Sequence, residues 1–202
     1  MSASTWNVSR ETEERLDAFQ DLVRKWNPRI NLVSAGSLTD LATRHIADSI
    51  LVNSVVSDGV QRWLDIGSGG GFPGIVVAIL RPETEVVLME SDQRKAQFLR
   101  TARRELRLNA TIHSERVESA APQQADVVSA RALGPLNLLL HYATRHAKEG
   151  SVFVFPKGQT WEDEHQVAQS EWTYDMDVFD GLPGASGKIL KIRNARLRHD
   201  KE

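Results

Sequence analysis

The residue types best suited to chemistry gather in one short stretch. LDIGSGGGFPGI, residues 64–75, places five glycines between positions 67 and 74, directly behind an apolar run. Gly69, Gly71 and Gly74 satisfy G-x-G-x-x-G, and Glu90 lies 21 residues beyond Gly69. That spacing suits a dinucleotide, with its pyrophosphate on a strand-to-helix turn and an acid on its ribose. The same stretch also reads Asp65-x-Gly67-x-Gly69, with an acid just ahead of the glycines. Electrostatics separates the two readings. A carboxylate at Asp65 would repel a pyrophosphate, whereas S-adenosylmethionine carries an ammonium and a sulfonium that Asp65 suits, directly or through water. Backbone N–H groups can bond the carboxylate of the same molecule. The balance falls to the methyl donor, and the dinucleotide stays as the alternative. No Lys-Ser/Thr follows the glycines, which excludes a Walker phosphate loop. Pro73 suits a first helical turn, so the ligand is placed at a strand end and a helix N-terminus.

Further along, Glu90 closes the β-rich run VVLMES, where a carboxylate can accept from both ribose hydroxyls. The loop SERVES brings Val117 and Glu118 to where an apolar side chain would pack on an adenine ring and polar groups would meet its edge. An ordinary turn is the other reading. The run ADVVSARAL delivers Arg131 to the place where a transferring methyl should lie. The Asn/Asp/Ser-Pro-Pro-aromatic box that holds an exocyclic amine is missing there, and the chain has no cysteine to attack a pyrimidine carbon. A hydroxyl acceptor would want a base beside it. These exclusions favour an acceptor with its own lone pair, such as N7 of guanine, for which no general base is expected. Arg131, the one catalytic candidate, would order the cofactor, contact a phosphate or donate to guanine O6; an ordinary salt bridge is the alternative. His45 and Asp48 share a helix face at i and i+3, either packing the N-terminal helices or lining the substrate cleft. No third ligand accompanies them, so no metal is expected. Lys157 in PKGQ is open between RNA contact and structural pairing.

These residues need a scaffold. The chain has 202 residues, 41% hydrophobic and 26% charged, which suits one domain, with helices over residues 1–60 and an α/β core over residues 61–202. Ser9 can cap a helix whose apolar residues Leu16, Phe19, Leu22, Val23 and Trp26 recur at helical spacing, and NPRIN around Pro28 is expected to end it. A second helical pattern runs from Leu38 to Leu51. From Trp63 onward β-rich runs (RWLDIG, EVVLME, ATIHS, ADVVSA, SVFVFP) alternate with amphipathic stretches. EWTYDMDVF and GKILKIRNARL, joined by turn-rich DGLPGASG, predict a terminal hairpin. The expected fold is therefore α/β and Rossmann-like, of the S-adenosylmethionine methyltransferase type. Its sheet is mostly parallel, finished by a C-terminal antiparallel hairpin and preceded by an N-terminal helical extension.

Net charge is −2, yet RKAQFLRTARRELR and KILKIRNARLRHDK are locally basic and could track a phosphate backbone. No apolar run reaches the ~18 residues of a membrane helix and the N-terminus has no signal-peptide core, so a cytoplasmic protein away from membranes is expected.

The motifs KWNPRINLVS, TRHIADSI, LDIGSGGGFPGI, MESDQRKAQFL, ERVE, SARAL and PKGQ occur in that order. Across residues 25–159 the chain resembles the bacterial 16S ribosomal RNA guanine-N7 methyltransferases, formerly called glucose-inhibited division protein B. The resemblance implies S-adenosylmethionine as methyl donor, and as acceptor a guanine N7 in the decoding-region loop of 16S rRNA, within the small ribosomal subunit. Carried onto matching positions, it implies cofactor contacts at Gly67, Phe72, Val117, Glu118 and Arg131, beside the roles that Asp65, Gly69 and Glu90 take from their own chemistry. Gly70 stands where the family varies, and Glu90 where Asp is also found. Nothing suggests more than a monomer. Because the N7 edge lies in the deep groove of A-form RNA, the target base should be splayed. Arg94, Lys95, Arg103, Arg104, Lys191 and Arg193 are candidates for the surrounding phosphates.

Overall fold

The computed structural model describes residue 6 and residues 8–198; the end of the basic C-terminal run, 199–201, lies outside the described residues. Helix α1 (Arg10–Ile30) opens at Ser9, whose hydroxyl accepts from the Thr12 N–H, one of the donors a helix start leaves free. The expected stop around Pro28 is met within NPRIN: the helix runs to Ile30 and ends with Asn31 in the left-handed region, φ 45°. Proline forfeits only its own N–H bond, and two other bonds hold the exit. The Asn31 N–H reaches the Asn27 carbonyl at 3.1 Å, and the Asn27 side chain accepts from the Val33 N–H at 2.8 Å.

After a 3-10 turn (Ala35–Ser37), the second helical pattern is realised in two pieces: a π-helical turn (Leu41–Ile46) and α2 (Ala47–Ser54). The Ala47 N–H reaches back to the Ala42 carbonyl, five residues away, a widening that accommodates an extra residue.

Alternation then sets in: β1 (Arg62–Ile66), α3 (Gly74–Leu80), β2 (Glu85–Met89), α4 (Gln93–Glu105), β3 (Ala110–His113), β4 (Ala125–Ala130), α5 (Leu136–His146), β5 (Ala147–Lys157), α6 (Trp161–Glu171), β6 (Trp172–Asp180) and β7 (Lys188–Leu197). The strand order is β3-β2-β1-β4-β5-β7-β6. β1 to β5 pair in parallel, and β7 runs antiparallel to both β5 and β6. The terminal hairpin forms as expected. α6 escapes the periodicity reading because Ala168 is its one fully buried residue among those described, too thin a stripe to read.

From β1 the chain builds outward first to β2 and β3, and returns to the other side of β1 with β4. That reversal opens a crevice at the carboxyl ends of these strands. Successive β1 residues serve opposite layers, as a strand of period two requires. Trp63 joins Leu16, Phe19 and Val23 of α1 with Ile75, Val86 and Phe98, while Leu64 joins Val87, Leu136 and Leu140 on the other face. The N-terminal helices thus share a hydrophobic layer with α3 and α4, and the boundary at residue 60 falls in the link between α2 and β1. Each large buried side chain of this layer contributes roughly 1.5–3 kcal/mol, which fixes α1 and the π-turn against the crevice. Among the described residues no helix is long and apolar enough to cross a membrane.

Candidate active site

After Ile66 the chain turns through Gly67 at φ +66° and Gly69 at φ +53°. These are conformations that side chains rarely adopt, and a Cβ at Gly67 would also sit 2.7 Å from Leu133 Cδ1. The loop is held from behind. Asp65 is completely buried: Oδ1 accepts from the Ser129 hydroxyl on β4 at 2.7 Å, and Oδ2 from the Gly74 N–H at the start of α3, at 3.2 Å. Ser129 Oγ in turn accepts from the Trp63 indole N–H at 2.9 Å. A contact between Asp65 and the ligand's cations was expected, and its placement needs correcting. On a central strand covered on both faces a carboxylate must find its donors inside the protein. Asp65 finds them in Ser129 and in the helix start, and it does not reach the cavity wall. Burial pushes its pKa up to about 6, against the opposing pull of its hydrogen bonds to Ser129, Ser68 and Gly74.

In front of the loop lies a cavity of about 590 Å³, whose wall carries Gly67, Gly69, Phe72, Glu90, Val117, Glu118 and Arg131. Every anticipated site residue except Asp65 therefore meets here. Lys95, from the basic stretch, and Met89 line the same wall. Glu90 binds two backbone segments: Oε2 accepts from the Gly69 N–H and Oε1 from the Asp92 N–H, both at 2.8 Å. A carboxylate offers about four acceptor sites, so lone pairs remain for hydroxyls.

Arg131 sits at the far end. Its Nη1 lies 2.7 Å from His45 Nδ1 and 3.8 Å from Asp48 Oδ2, and its guanidinium lies over the Phe72 ring, 5.1 Å from the centroid. Guanidinium only donates, so His45 Nδ1 accepts and the neutral ring carries its proton on Nε2. Burial, then the charges of Arg131 and Arg44, lower the His45 pKa to about 4, which agrees with a neutral ring. Nε2 is buried without a hydrogen-bond partner among the described residues. Burial raises the Asp48 pKa, and Arg131 opposes the rise. Of the two readings of His45 and Asp48, cleft lining is the one their geometry supports, since both converge on Arg131. Nothing in the sequence announces that meeting across 86 positions.

Lys157 takes the structural side of its two readings: Nζ contacts Glu164 Oε2 at 2.5 Å and donates to the Gly134 carbonyl at 2.9 Å, with 9% of the side chain exposed. Arg94, Arg103 and Arg104 are exposed along α4, whereas Arg193 donates to Asp177 at 2.8 Å.

Residues 12–191 match the sequence model of the rRNA small subunit methyltransferase G family. The chain belongs to this family. The ribosomal RNA small subunit methyltransferase G of Ruegeria pomeroyi is 52% identical to it over 194 residues, spanning 94% of this chain and 95% of that protein. The same-named protein of Paracoccus denitrificans is 44% identical over 194 residues, spanning 96% and 99%. The O-methyltransferase from Bacillus cereus in complex with SAH superposes with a TM-score of 0.59, covering 94% of this chain and 93% of that one. At 16% identity that likeness is one of fold alone.

For a member of the rRNA small subunit methyltransferase G family, the cavity can be weighed against S-adenosylmethionine. The volume suits a small cofactor. Phe72 and Val117 offer apolar surface for a flat base, and Glu90 keeps lone pairs for ribose hydroxyls. The unpartnered His45 Nε2–H is a donor suited to a carboxylate. The residues present fit the group.

This family member also sets two titrations against each other. The Asp65 pKa rises from 3.8 to about 6 on folding, so its contribution favours the fold below pH ~4 and is lost as pH climbs to 6. The His45 pKa falls from 6.5 to about 4, so its contribution is present above pH 6.5 and is lost as pH falls to 4. Between pH 4 and 6 the two slopes oppose. In urea unfolding across this window, Asp65→Asn should make stability climb more steeply with pH than in wild type, and His45→Gln should tilt it downward. Identical slopes in all three proteins would refute the opposition.

Proposed function

We propose that the chain transfers a methyl group from S-adenosylmethionine to N7 of a guanine in the decoding-region loop of 16S rRNA, acting as a cytoplasmic monomer on the small ribosomal subunit. Membership of the family supplies the coarser part: methyl transfer to small-subunit rRNA with S-adenosylmethionine as donor. The observation that carries the choice of atom is the 2.7 Å contact between Arg131 and His45. It occupies the one lone pair of the imidazole while the other nitrogen keeps its proton, so this ring cannot take a proton from an acceptor. Guanine N7 has no proton to lose.

When bound, S-adenosylmethionine supplies an electrophilic methyl, whose bond to sulfur breaks as the N7 lone pair takes it up. The chain's own residues align and enclose. Gly67 and Gly69 let the backbone approach closely, Glu90 accepts from the ribose, Val117 packs on the adenine, and Glu118 meets its edge. Asp65 acts from behind by fixing the loop to α3 and β4. Arg131 spans the boundary between the cofactor cavity and a second cleft, and donates to guanine O6, the neighbour of N7. Catalysis on this reading is mostly positioning and exclusion of water. The exposed cations of α4 bind phosphates around a splayed base.

Purified protein given labelled donor with naked 16S rRNA, 30S subunits or 70S ribosomes should place label on one guanine of the small-subunit RNA. Label mapped to adenine or cytosine would overturn the acceptor. Protection against heat by NADH and not by S-adenosylhomocysteine would restore the dinucleotide reading.

A further inference from the structure

We infer that Asp48 reads the acceptor base as guanine, by accepting from its N1–H and 2-amino group in the cleft beyond Arg131; the inference rests on guanine N7 being the methylated atom. Two cavities share both Arg131 and His45 in their walls. One is the cofactor cavity; the other is a cleft of about 550 Å³ closed by Leu182 and Pro183 of the β6–β7 loop. Asp48 lines the second and not the first. Moving away from the cofactor, the protein therefore presents a donor, Arg131, and then an acceptor, Asp48, 3.8 Å apart. At that separation the two share charge without closing a tight pair. Among the described residues no hydrogen bond reaches the Asp48 carboxylate, although its side chain is only 23% exposed. A mostly buried acceptor left open is costly unless something else supplies its donors.

Guanine presents its groups in the matching order. With N7 toward the methyl, its perimeter continues to O6, an acceptor for Arg131, then to N1–H and the 2-amino group, donors for Asp48. Adenine presents the reverse: its 6-amino donors would meet the guanidinium and its bare N1 would meet the carboxylate. Both contacts are repulsive, which is how a site rejects a wrong partner. Adenine N7 carries a lone pair as free as that of guanine, so the reaction itself does not separate the purines. A device beside the reacting atom must do so, and this ordered pair supplies one.

The test couples enzyme to substrate. 30S subunits are reconstituted with 16S rRNA carrying guanosine, or inosine, which lacks the 2-amino group, at the methylated position. Label transfer is then measured with wild type, Asp48→Ala and Asp48→Asn. For wild type, inosine should lower kcat/KM roughly tenfold. Asp48→Ala should be about tenfold or more slower on guanosine and should show no inosine penalty, and Asp48→Asn, which keeps one acceptor oxygen, should retain part of it. S-adenosylhomocysteine affinity, measured by calorimetry, should stay within about twofold of wild type, because the cofactor cavity lacks Asp48. An undiminished inosine penalty in both variants would mean that Asp48 merely steadies Arg131, and would overturn the inference alone. Wild-type label on a base other than guanine would overturn the N7 reading with it.

Discussion

Replacing Arg131 by lysine should lower methyl transfer roughly 10²–10³-fold while the protein still melts cooperatively near the wild-type temperature. Lysine keeps the positive charge, so Asp48 is not left facing an apolar hole. It cannot, however, donate to His45, lie flat over Phe72 and point a further N–H at an acceptor, all from one rigid plane. Because lysine keeps the positive charge that, after burial, depresses the His45 pKa, the ring should stay neutral near pH ~7 in this variant. Single-turnover transfer at saturating donor, paired with a thermal melt and an NMR titration of the ring, reads all of this. A change in rate below about threefold would remove Arg131 from the reaction.

The second large effect is on the fold. In Gly74→Ala the added methyl would overlap Leu88 Cδ2 and sit 2.7 Å from Asp65 Oδ2. Neither neighbour can retreat: Leu88 is buried in the sheet, and Asp65 is already committed to Ser129 and to the Gly74 N–H. Overpacking of this kind costs about 3 kcal/mol, which in a chain of this length lowers Tm by roughly 6–12 °C. Displacing the start of α3 should weaken S-adenosylhomocysteine binding as well. Gly36→Ala is the control, because nothing lies within 4 Å of its new methyl; its melt should stay close to wild type. Equal melting of the two variants would show that Gly74 is not packed as tightly as this.

How far the site was legible in the sequence depends on whether its parts are neighbours in the chain. The glycine loop, Glu90 and the Val117–Glu118 turn each follow a strand, so alternation of strands and helices carries all of them to one edge of the sheet. Asp65 is assigned to the ligand on its charge and its place before the glycines, and period-two reasoning cannot check that assignment, because it works only when one side of a strand is wet. Trp63, Leu64, Asp65 and Ile66 are all fully buried, and nothing in such a run tells the two faces apart. The tie of Arg131 to His45 and Asp48 joins the end of β4 to the N-terminal helices, and is set by tertiary packing alone. The end of α1 around Pro28 is legible because its causes are local: Asn27 and Asn31 supply the hydrogen bonds that hold the exit.

The widened turn over Leu41–Ile46 has a consequence for how this chain tolerates changes in length. Deleting one residue there would let the segment relax to ordinary helix with its flanks still in register, since the widening is what absorbs the extra residue. Leu41 and Ile46, buried on either side, would keep their places, while His45 inside the turn would be drawn off the guanidinium. Such a chain should fold and transfer methyl slowly. The extra residue thus sets where the imidazole stands and leaves the helices around it as they were.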